Sequence, residues 1–339
     1  MKQTDSLGGL SWRDRAVLIA LPVLAVFVTL AIGRMGLSPL EVLKTVGNRI
    51  SGHAAADPRA DAVVFSIRMP RILLALLVGA GLSVAGCAFQ SLFSNPLATP
   101  DTLGVASGAS FGAALALLLG FNLIGVQVLA FACGVAAVFL AWLSGSGRGG
   151  INTIILAGIM IGSLFSALVS LVKFTADTES QLPAITYWLM GSLNSAGYSS
   201  LALGAPPILA GILILYLLRW RMNLLPLPED DARATGTNLR LLRALTVICA
   251  TGITASCVSM CGQVGWVGLL VPHICRMKFG SNHMALVPAS IFAGSAFMVI
   301  VDTVARSATS AEIPVSILTA LVGAPFFIVL MRRTEGWQL

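Results

Sequence analysis

Charged residues are scarce in this sequence. Only 10% of its 339 residues are Asp, Glu, Lys or Arg, whereas roughly a quarter of the residues of a soluble domain carry charge. Hydrophobic residues make up 57% of the chain, which excludes an intrinsically disordered protein because such chains are poor in apolar residues. The mean hydropathy of +0.90 indicates a protein built mainly from membrane-spanning helices.

The sequence also lacks the motifs of familiar enzymes. None of its four lysines follows a glycine, so there is no GxxxxGK[ST] phosphate-binding loop and we expect no ATP hydrolysis by this chain alone. No GxSxG or HExxH motif occurs, and the three histidines do not have the spacing of metal ligands. The six cysteines form no CxxC pair and are expected to pack as small apolar residues. We therefore expect no catalytic residue, metal site or cofactor in this chain.

Ten apolar runs cover most of the chain, and most of them approach the 20 or so residues that a helix needs to cross a membrane. The sequence therefore predicts an all-α polytopic membrane protein with about ten transmembrane helices, in a single domain over residues 1–339. The eighth run is short and contains Pro272 and His273, which is tolerated only where protein or water satisfies the backbone. The runs lie at 16–33, 72–94, 102–120, 124–143, 151–174, 201–218, 241–261, 264–276, 285–304 and 313–331.

The positions of the basic residues predict the orientation of the chain, because Lys and Arg concentrate in cytoplasmic loops. With the N-terminus inside, 13 of the 21 Lys and Arg residues lie on the inner side and eight on the outer side. This split predicts a multi-pass protein of the cytoplasmic (inner) membrane with both termini in the cytoplasm. The net charge of +7 is then explained by sorting across a membrane, with lipid and not nucleic acid as the contact.

The first outer loop, residues 34–67, is expected to be partly helical. Ser38 followed by Pro39 is typical of a helix start, because Ser caps the first turn and Pro lacks an N–H that this turn would leave unpaired. We expect one short helix to begin there.

The largest inner loop, residues 219–243, has acidic residues followed by arginines. This order suits a short helix from about Glu229, because its charges match the helix dipole, and Gly236 would end that helix. The loop is either a solvated connector or a docking helix for a soluble partner. In a chain with so few polar residues, we favour the docking helix.

Three stretches of the sequence, in order, resemble the permease subunits of binding-protein-dependent ABC importers for iron–siderophore, haem and vitamin B12. Together they extend over most of the chain. The stretches are Arg68-Met-Pro-Arg71 continuing to Gln90, Asn95-Pro96 and Gly108; Gly265 to His273 with Arg276 and His283; and Asp302 to Arg306 followed by Glu312 and Pro314.

The resemblance implies a fold like that of the vitamin B12 importer permease and a defined set of partners. These are a second permease copy or a homologous permease, two cytoplasmic ATPase subunits, and a periplasmic or lipoprotein substrate-binding protein. The chain would form the translocation pathway and carry out no bond chemistry. The resemblance favours a ferric siderophore as substrate, with cobalamin, haem or an oxyanion such as molybdate as alternatives.

The resemblance also implies roles for particular residues. Arg68, Arg71 and Arg306 would meet glutamates of the binding protein as exposed charges at the outer mouth, with lipid-headgroup anchoring as the alternative. Asp302 and Arg306, one helical turn apart, are expected to pair. The resemblance makes the 219–243 loop the coupling loop that docks on the ATPase, and in it Ala232 and Gly236 are small positions where a partner could approach closely. The remaining residues are Glu229 and Arg233 in the coupling loop, and Gln90, Asn95, Pro96, Gly108, Pro272 and His273 in the pathway or its structural motifs.

A secondary transporter driven by an ion gradient is the rival interpretation. Such proteins place ionisable groups near the middle of the membrane. Lys173, His273, Asp302 and Arg306 all lie near the predicted ends of spans, which disfavours this mechanism.

Overall fold

The computed structural model describes residues 9–33, 36–53, 57–145 and 150–333, and within them the regular structure is helical. A π-helix at Val63–Arg68 joins the third and fourth α-helices, and a 3₁₀-helix at Pro100–Leu103 precedes the fifth. The α-helices are α1 Trp12–Ala31, α2 Pro39–Ile50, α3 Pro58–Ala62, α4 Met69–Leu92, α5 Val105–Leu118, α6 Leu123–Gly145, α7 Gly150–Thr175, α8 Gln181–Leu189, α9 Tyr198–Met222, α10 Glu229–Ala234, α11 Leu239–Cys261, α12 Val267–Phe279, α13 His283–Ser307 and α14 Val315–Arg333.

Each of the ten apolar runs forms one helix, and eight of these helices are long and apolar enough to cross a membrane. The other two runs form the half-length helices α5 and α12, of 14 and 13 residues. At 1.5 Å per residue these helices are only about 20 Å long, which is shorter than the roughly 30 Å apolar core of a bilayer. The predicted all-α membrane fold is therefore confirmed; of the predicted ten or so transmembrane helices, eight are long enough to span, whereas α5 and α12 are too short to do so alone.

The centre of the bundle consists of α4, α11 and α13. In their most apolar windows 83%, 78% and 61% of the residues are buried, against 22% for α1, α7 and α14. Glycines allow this close packing: a Cβ on Gly79 would lie 2.2 Å from the carbonyl oxygen of Gly294, and one on Gly86 would lie 1.8 Å from that of Gly268. Small residues thus bring α4 into backbone contact with α12 and α13.

The two half-length helices begin next to each other in the interior of the bundle. A Cβ on Gly268, at the start of α12, would lie 2.9 Å from the carbonyl oxygen of Leu82 in α4 and 3.0 Å from Pro100, just before α5. Leu82 lies ten residues before the C-terminal end of α4. At Pro100 and Gly268 the segments that lead into α5 and α12 are therefore packed against protein, as backbone at membrane depth must be.

The loop at residues 34–67, which was predicted to lie outside, forms α2 and α3 in its described part. Ser38 caps α2 as predicted: its hydroxyl accepts the N–H of Glu41, and the Glu41 carboxylate accepts the N–H of Ser38 at 2.7 Å. The hydrogen bond from the Ser38 backbone lowers the pKa of Glu41. This capping box fixes the start of α2 from sequence alone.

Candidate functional site

Three arginines that are far apart in the sequence lie together at one end of the bundle, the end that the charge distribution predicts to be the outer one and that is called the outer end from here on. Arg68 ends the π-helix, Arg71 lies in the first turn of α4, and Arg306 lies in the last turn of α13. A π-helix makes i→i+5 hydrogen bonds, is rare, and often occurs at functional sites. Because α4 and α13 pack closely, the first and the third of the three family-like stretches meet at this point.

Arg71 is the centre of the cluster and makes hydrogen bonds to two carboxylates. Its Nε donates to Asp302 Oδ1 at 2.9 Å and to Oδ2 at 3.1 Å. Its Nη1 and Nη2 donate to the two oxygens of Glu312 at 3.0 and 3.1 Å. Forked guanidinium–carboxylate pairs of this kind combine charge attraction with fixed geometry. Arg71 therefore ties α4 to α13 and to the segment before α14.

The other two arginines bind the carbonyl groups at the end of α1. Arg68 Nη1 donates to the Leu30 oxygen, and Arg306 Nη2 donates to the Thr29 oxygen at 2.8 Å. These carbonyls belong to the last turn of α1, which has no intrahelical donor for them. The cluster thus also holds α1 in place.

The expected pair between Asp302 and Arg306 is only a loose one. Arg306 Nε lies 3.9 Å from Asp302 Oδ2, whereas Arg71 approaches the same carboxylate to 2.9 Å. The closest partner of Asp302 is therefore Arg71 on another helix. Glu312, which is also bound to Arg71, appeared in the sequence motif, but no local spacing could assign it this contact.

Contrary to the expected exposure, the three arginines are buried. Arg68, Arg71 and Arg306 are 3%, 8% and 9% exposed, and a cavity of about 200 Å³ opens beside them between Gly33 and Glu312. Among the described residues, three guanidinium groups face two carboxylates, which gives this set one net positive charge. Docking of a binding protein on these arginines stays a prediction, and a partner would have to reach them through the cavity.

At the opposite end of the bundle, which is predicted to be the inner end, the 219–243 loop contains the six-residue helix α10. Ala232 is completely buried against its own chain, so a partner cannot approach it closely. Gly236 follows α10 with a φ of 74°, a conformation that favours glycine. The side chains of Glu229 and Arg233 lie outside the described part of the chain. The coupling role of these four residues stays a prediction.

The first residues of the same loop are fixed to the bundle. The Met222 carbonyl accepts the hydroxyl of Ser91 on α4 at 2.9 Å. Asn223 binds the turn between α12 and α13: its Oδ1 accepts the backbone N–H of His283 at 2.9 Å, and its Nδ2 donates to Asn282 Oδ1 at 3.0 Å. The sequence reasoning missed Asn223, because its partners lie about 60 residues away.

Gln90, near the C-terminal end of α4, contacts α12 at two points. Its Oε1 accepts Arg276 Nη2 of α12 at 2.9 Å, and its Nε2 lies 3.4 Å from the Gly268 carbonyl oxygen. Gln90 is buried, at 2% exposed. These contacts give Gln90 a packing and bridging role.

Asn95 and Pro96 lie in the turn that follows α4. The Asn95 side chain accepts the N–H of Leu97 at 2.9 Å and thereby caps this turn. Both residues are exposed. Gly108 of α5 packs against α6 instead, because a Cβ there would lie 2.6 Å from the Cβ of Ala137 and from the Cys133 carbonyl oxygen.

Pro272 and His273 lie on α12, where they contact different surroundings. Pro272 is buried in the core. The His273 ring packs edge-on against Phe327 and Phe326 of α14, with ring centroids 5.2 and 6.4 Å apart. His273 therefore joins α12 to the poorly buried α14, and a role in the pathway stays a prediction for both residues.

Comparison with known proteins identifies the family to which this geometry belongs. Residues 20–333 match the model of the FecCD transport family. The chain is 41% identical over 323 residues to the molybdate import system permease protein MolB of Haemophilus influenzae, covering 94% of this chain and 95% of that protein. It is 35% identical over 324 residues to a Helicobacter pylori protein named "Probable iron chelatin transport system permease protein", covering 94% and 98%.

A solved structure extends the similarity to the fold. A metal-chelate type ABC transporter in an inward-facing conformation matches with a TM-score of 0.86 and 40% identity, over 95% of this chain and 99% of that one. The family match covers the outer arginine cluster, the half-length helices and the inner loop together. The chain belongs to the FecCD transport family and is the permease subunit of an ABC importer.

Proposed function

We propose that this permease imports a metal-containing solute, with molybdate as the first candidate and a ferric siderophore as the second. The whole-length identity of 41% to a molybdate permease supports the first candidate, against 35% to the iron chelatin permease. The sequence motifs favoured the siderophore, and the second relative keeps it in consideration. Cobalamin and haem remain alternatives, because a cobalamin permease and a hemin permease are 39% and 33% identical to this chain.

The observation that carries the proposal is the placement of two candidate docking sites at opposite ends of the same helices. The arginine cluster joins the outer ends of α4 and α13, and Asn223 joins the inner loop to the inner end of α13. A binding protein would dock at the outer end. Its carboxylates would be attracted by the net positive charge of the cluster, which raises the association rate and fixes the register.

The proposed complex contains a second permease, either another copy or a homologue, and two cytoplasmic ATPase subunits at the 219–243 loops. ATP binding would pull these loops together and shift the pathway between its inward- and outward-facing states. The chain contributes the pathway, and ATP hydrolysis belongs to the partner subunits.

The proposed location is the cytoplasmic membrane, with both termini in the cytoplasm. This orientation leaves eight Lys and Arg residues on the outer side, which weakens it because basic residues normally concentrate on the inner side. Three of them, Arg68, Arg71 and Arg306, are buried, and two carboxylates, Asp302 and Glu312, face them. These three arginines thus have a structural reason to lie on the outer side. The orientation can then be judged from the other Lys and Arg residues, which favour cytoplasmic termini.

Uptake by purified protein in vesicles tests the proposal. The permease is reconstituted with its ATPase and binding protein, and radiolabelled molybdate and radiolabelled ferric siderophore are supplied outside. We expect ATP-dependent uptake of one probe, with the other competing poorly. Uptake driven by an ion gradient without ATP would contradict the importer mechanism, and uptake of labelled cobalamin or haem alone would contradict both leading substrates.

A further inference from the structure

We propose that Asn223 is a positioning residue that makes the coupling loop move as one body with the α12–α13 turn. Asn223, Asn282 and His283 form a set of side-chain contacts that we call the α9–α13 clamp. The inference rests on the proposed docking of an ATPase on the 219–243 loop. Through Asn223, movement of that loop would reach α13, the helix that ends at the outer arginine cluster.

The hydrogen bonds of the clamp allow only one arrangement of its amide groups. The backbone N–H of His283 can only donate, so the Asn223 atom 2.9 Å away must be Oδ1. His283 Nδ1 lies 2.8 Å from the same oxygen and must therefore carry a proton. Asn282 Oδ1 accepts the N–H of Met284 at 2.9 Å and also Asn223 Nδ2 at 3.0 Å. Three hydrogen bonds thus connect Asn223 to the start of α13.

Asn223 is not needed to end its own helix. Its φ and ψ of −63° and −17° are helical, and its side chain makes no bond to α9. An asparagine that ends a helix through a left-handed cap would instead have a positive φ. All the side-chain bonds of Asn223 go to another part of the bundle, which points to a role between elements.

The segment around Asn223 is well placed to transmit movement. Met222, Leu224 and Leu225 are buried, and Ser91 of α4 binds the Met222 carbonyl. The coupling helix α10 begins only six residues after Asn223. A displacement of α10 would therefore act on a segment that is packed against the bundle.

On the other side of the clamp, α13 crosses the whole bundle. Its 25 residues extend about 37 Å from His283 to the turn that carries Asp302 and Arg306. The α12–α13 turn also joins α12, whose Arg276 binds Gln90 of α4. Displacement of the turn would therefore reach two helices that contact the centre of the bundle.

The test compares two asparagines, one in the clamp and one far from the 219–243 loop. Asn223→Ala removes the clamp, whereas Asn122→Ala removes only a local cap before α6, the bond from the Gly125 N–H to Asn122 Oδ1 at 2.9 Å. In the reconstituted importer we measure solute imported per ATP hydrolysed, using labelled molybdate or labelled ferric siderophore. We expect Asn223→Ala to lower this ratio by roughly five- to tenfold while hydrolysis continues, and Asn122→Ala to leave it unchanged. Equal ratios in the two variants would overturn the proposal.

A cysteine pair keeps the test decisive if Asn223→Ala does not assemble. The combined variant Asn223→Cys and Asn282→Cys is measured before and after bridging by a short bis-thiol reagent; five of the six native cysteines are buried. Bridging replaces the lost hydrogen bonds by a covalent link, so we expect it to restore the import ratio on the same polypeptide. A ratio that stays low after bridging, or falls further, would show that the two segments need not move together.

A distance measurement separates this inference from the proposed substrates. Spin labels are placed at Thr235 and Ser281, which are both exposed, in complexes with and without trapped ATP. We expect one distance in both states with Asn223 present, and two different distances in Asn223→Ala. A distance that changes with Asn223 present would overturn the clamp, whichever solute the complex imports. Failure to import either probe would concern only the proposed substrate.

Discussion

Arg71 and Asp302 are 231 residues apart in the chain, and the Arg71 Nε lies 2.9 Å from Asp302 Oδ1. The Asp302 side chain is 1% exposed and the Arg71 side chain 10%. A buried ion pair of this kind stabilises little relative to apolar packing, but removal of one partner leaves an unpaired charge in the interior. The pair therefore fixes how α4 and α13 meet at the outer end.

Asp302→Ala should destabilise the protein strongly. We expect the free energy of unfolding to fall by about 3–5 kcal/mol, because Arg71 would lose Asp302 and keep Glu312 as its acidic partner. The matched control is Arg49→Ala, which breaks the pair between Arg49 and Asp61 at 3.2 Å, where the Arg49 side chain is 61% exposed. That change should cost at most about 1 kcal/mol. Thermal unfolding in detergent measures both, and equal losses would refute the structural role of the buried pair.

Glu312→Gln should increase the affinity of the outer end for its binding protein. The change removes one of two carboxylates from the cluster and loosens the fork on Arg71, so the net positive charge rises. We expect the association rate to rise roughly threefold and to become more sensitive to salt. Surface-immobilised binding protein at two ionic strengths gives both values.

The control for that experiment is Glu179→Gln, which removes an exposed negative charge beyond the end of α7, outside the cluster. It should change the association rate much less than Glu312→Gln. If the two variants behave alike, only long-range charge matters, and the cluster is a structural anchor without a docking role.

Substitution in α10 should separate the docking surface from the core. Ala234 is exposed, whereas Ala232, two residues earlier, is fully buried. Ala234→Trp should therefore abolish ATPase association and leave the unfolding temperature unchanged. Ala232→Trp should overpack the core and cost about 3 kcal/mol or more. Co-purification of the ATPase and thermal unfolding measure the two effects. Normal association of Ala234→Trp would show that the loop is a connector.

Labelling of single cysteines checks the orientation. Ser51, at the end of α2, and Ala234, at the end of α10, are both exposed. In intact cells a membrane-impermeant maleimide should label Ser51→Cys, and it should label Ala234→Cys only after permeabilisation. The unmodified protein is the background control for its native cysteines. The opposite pattern would place the termini outside and reverse the assignment of the docking sites.

Local patterns in the sequence were sufficient for the elements of the fold. Each apolar run became a helix, and Ser38 with Pro39 marked the start of α2, because these signals act within one or two turns of the chain. The same reasoning treated the run at 264–276 as a short span, and α12 is indeed short. Hydropathy could not show where α12 begins. That start depends on the close approach of Gly268 to Leu82 and Pro100, which come from distant parts of the chain.

The candidate site was predictable in its residues but not in its contacts. The motif named Arg68, Arg71, Asp302 and Arg306, yet helical spacing paired Asp302 with Arg306, and the structure gives the closer contact to Arg71. Spacing within one helix reports only neighbours three or four residues away. A contact between α4 and α13 depends on how glycines let those helices approach.

By itself the sequence determined that the chain is a helical membrane protein with ten apolar helices, and its motifs indicated an importer permease. Composition and periodicity suffice for this, because burial in lipid requires apolar residues and internally bonded backbone. Only the tertiary structure decided that the outer arginines are buried, that Ala232 faces the core, and that Asn223 holds the start of α13. These features arise from side chains on different helices, and hydrogen bonds and ion pairs form only after the helices have packed.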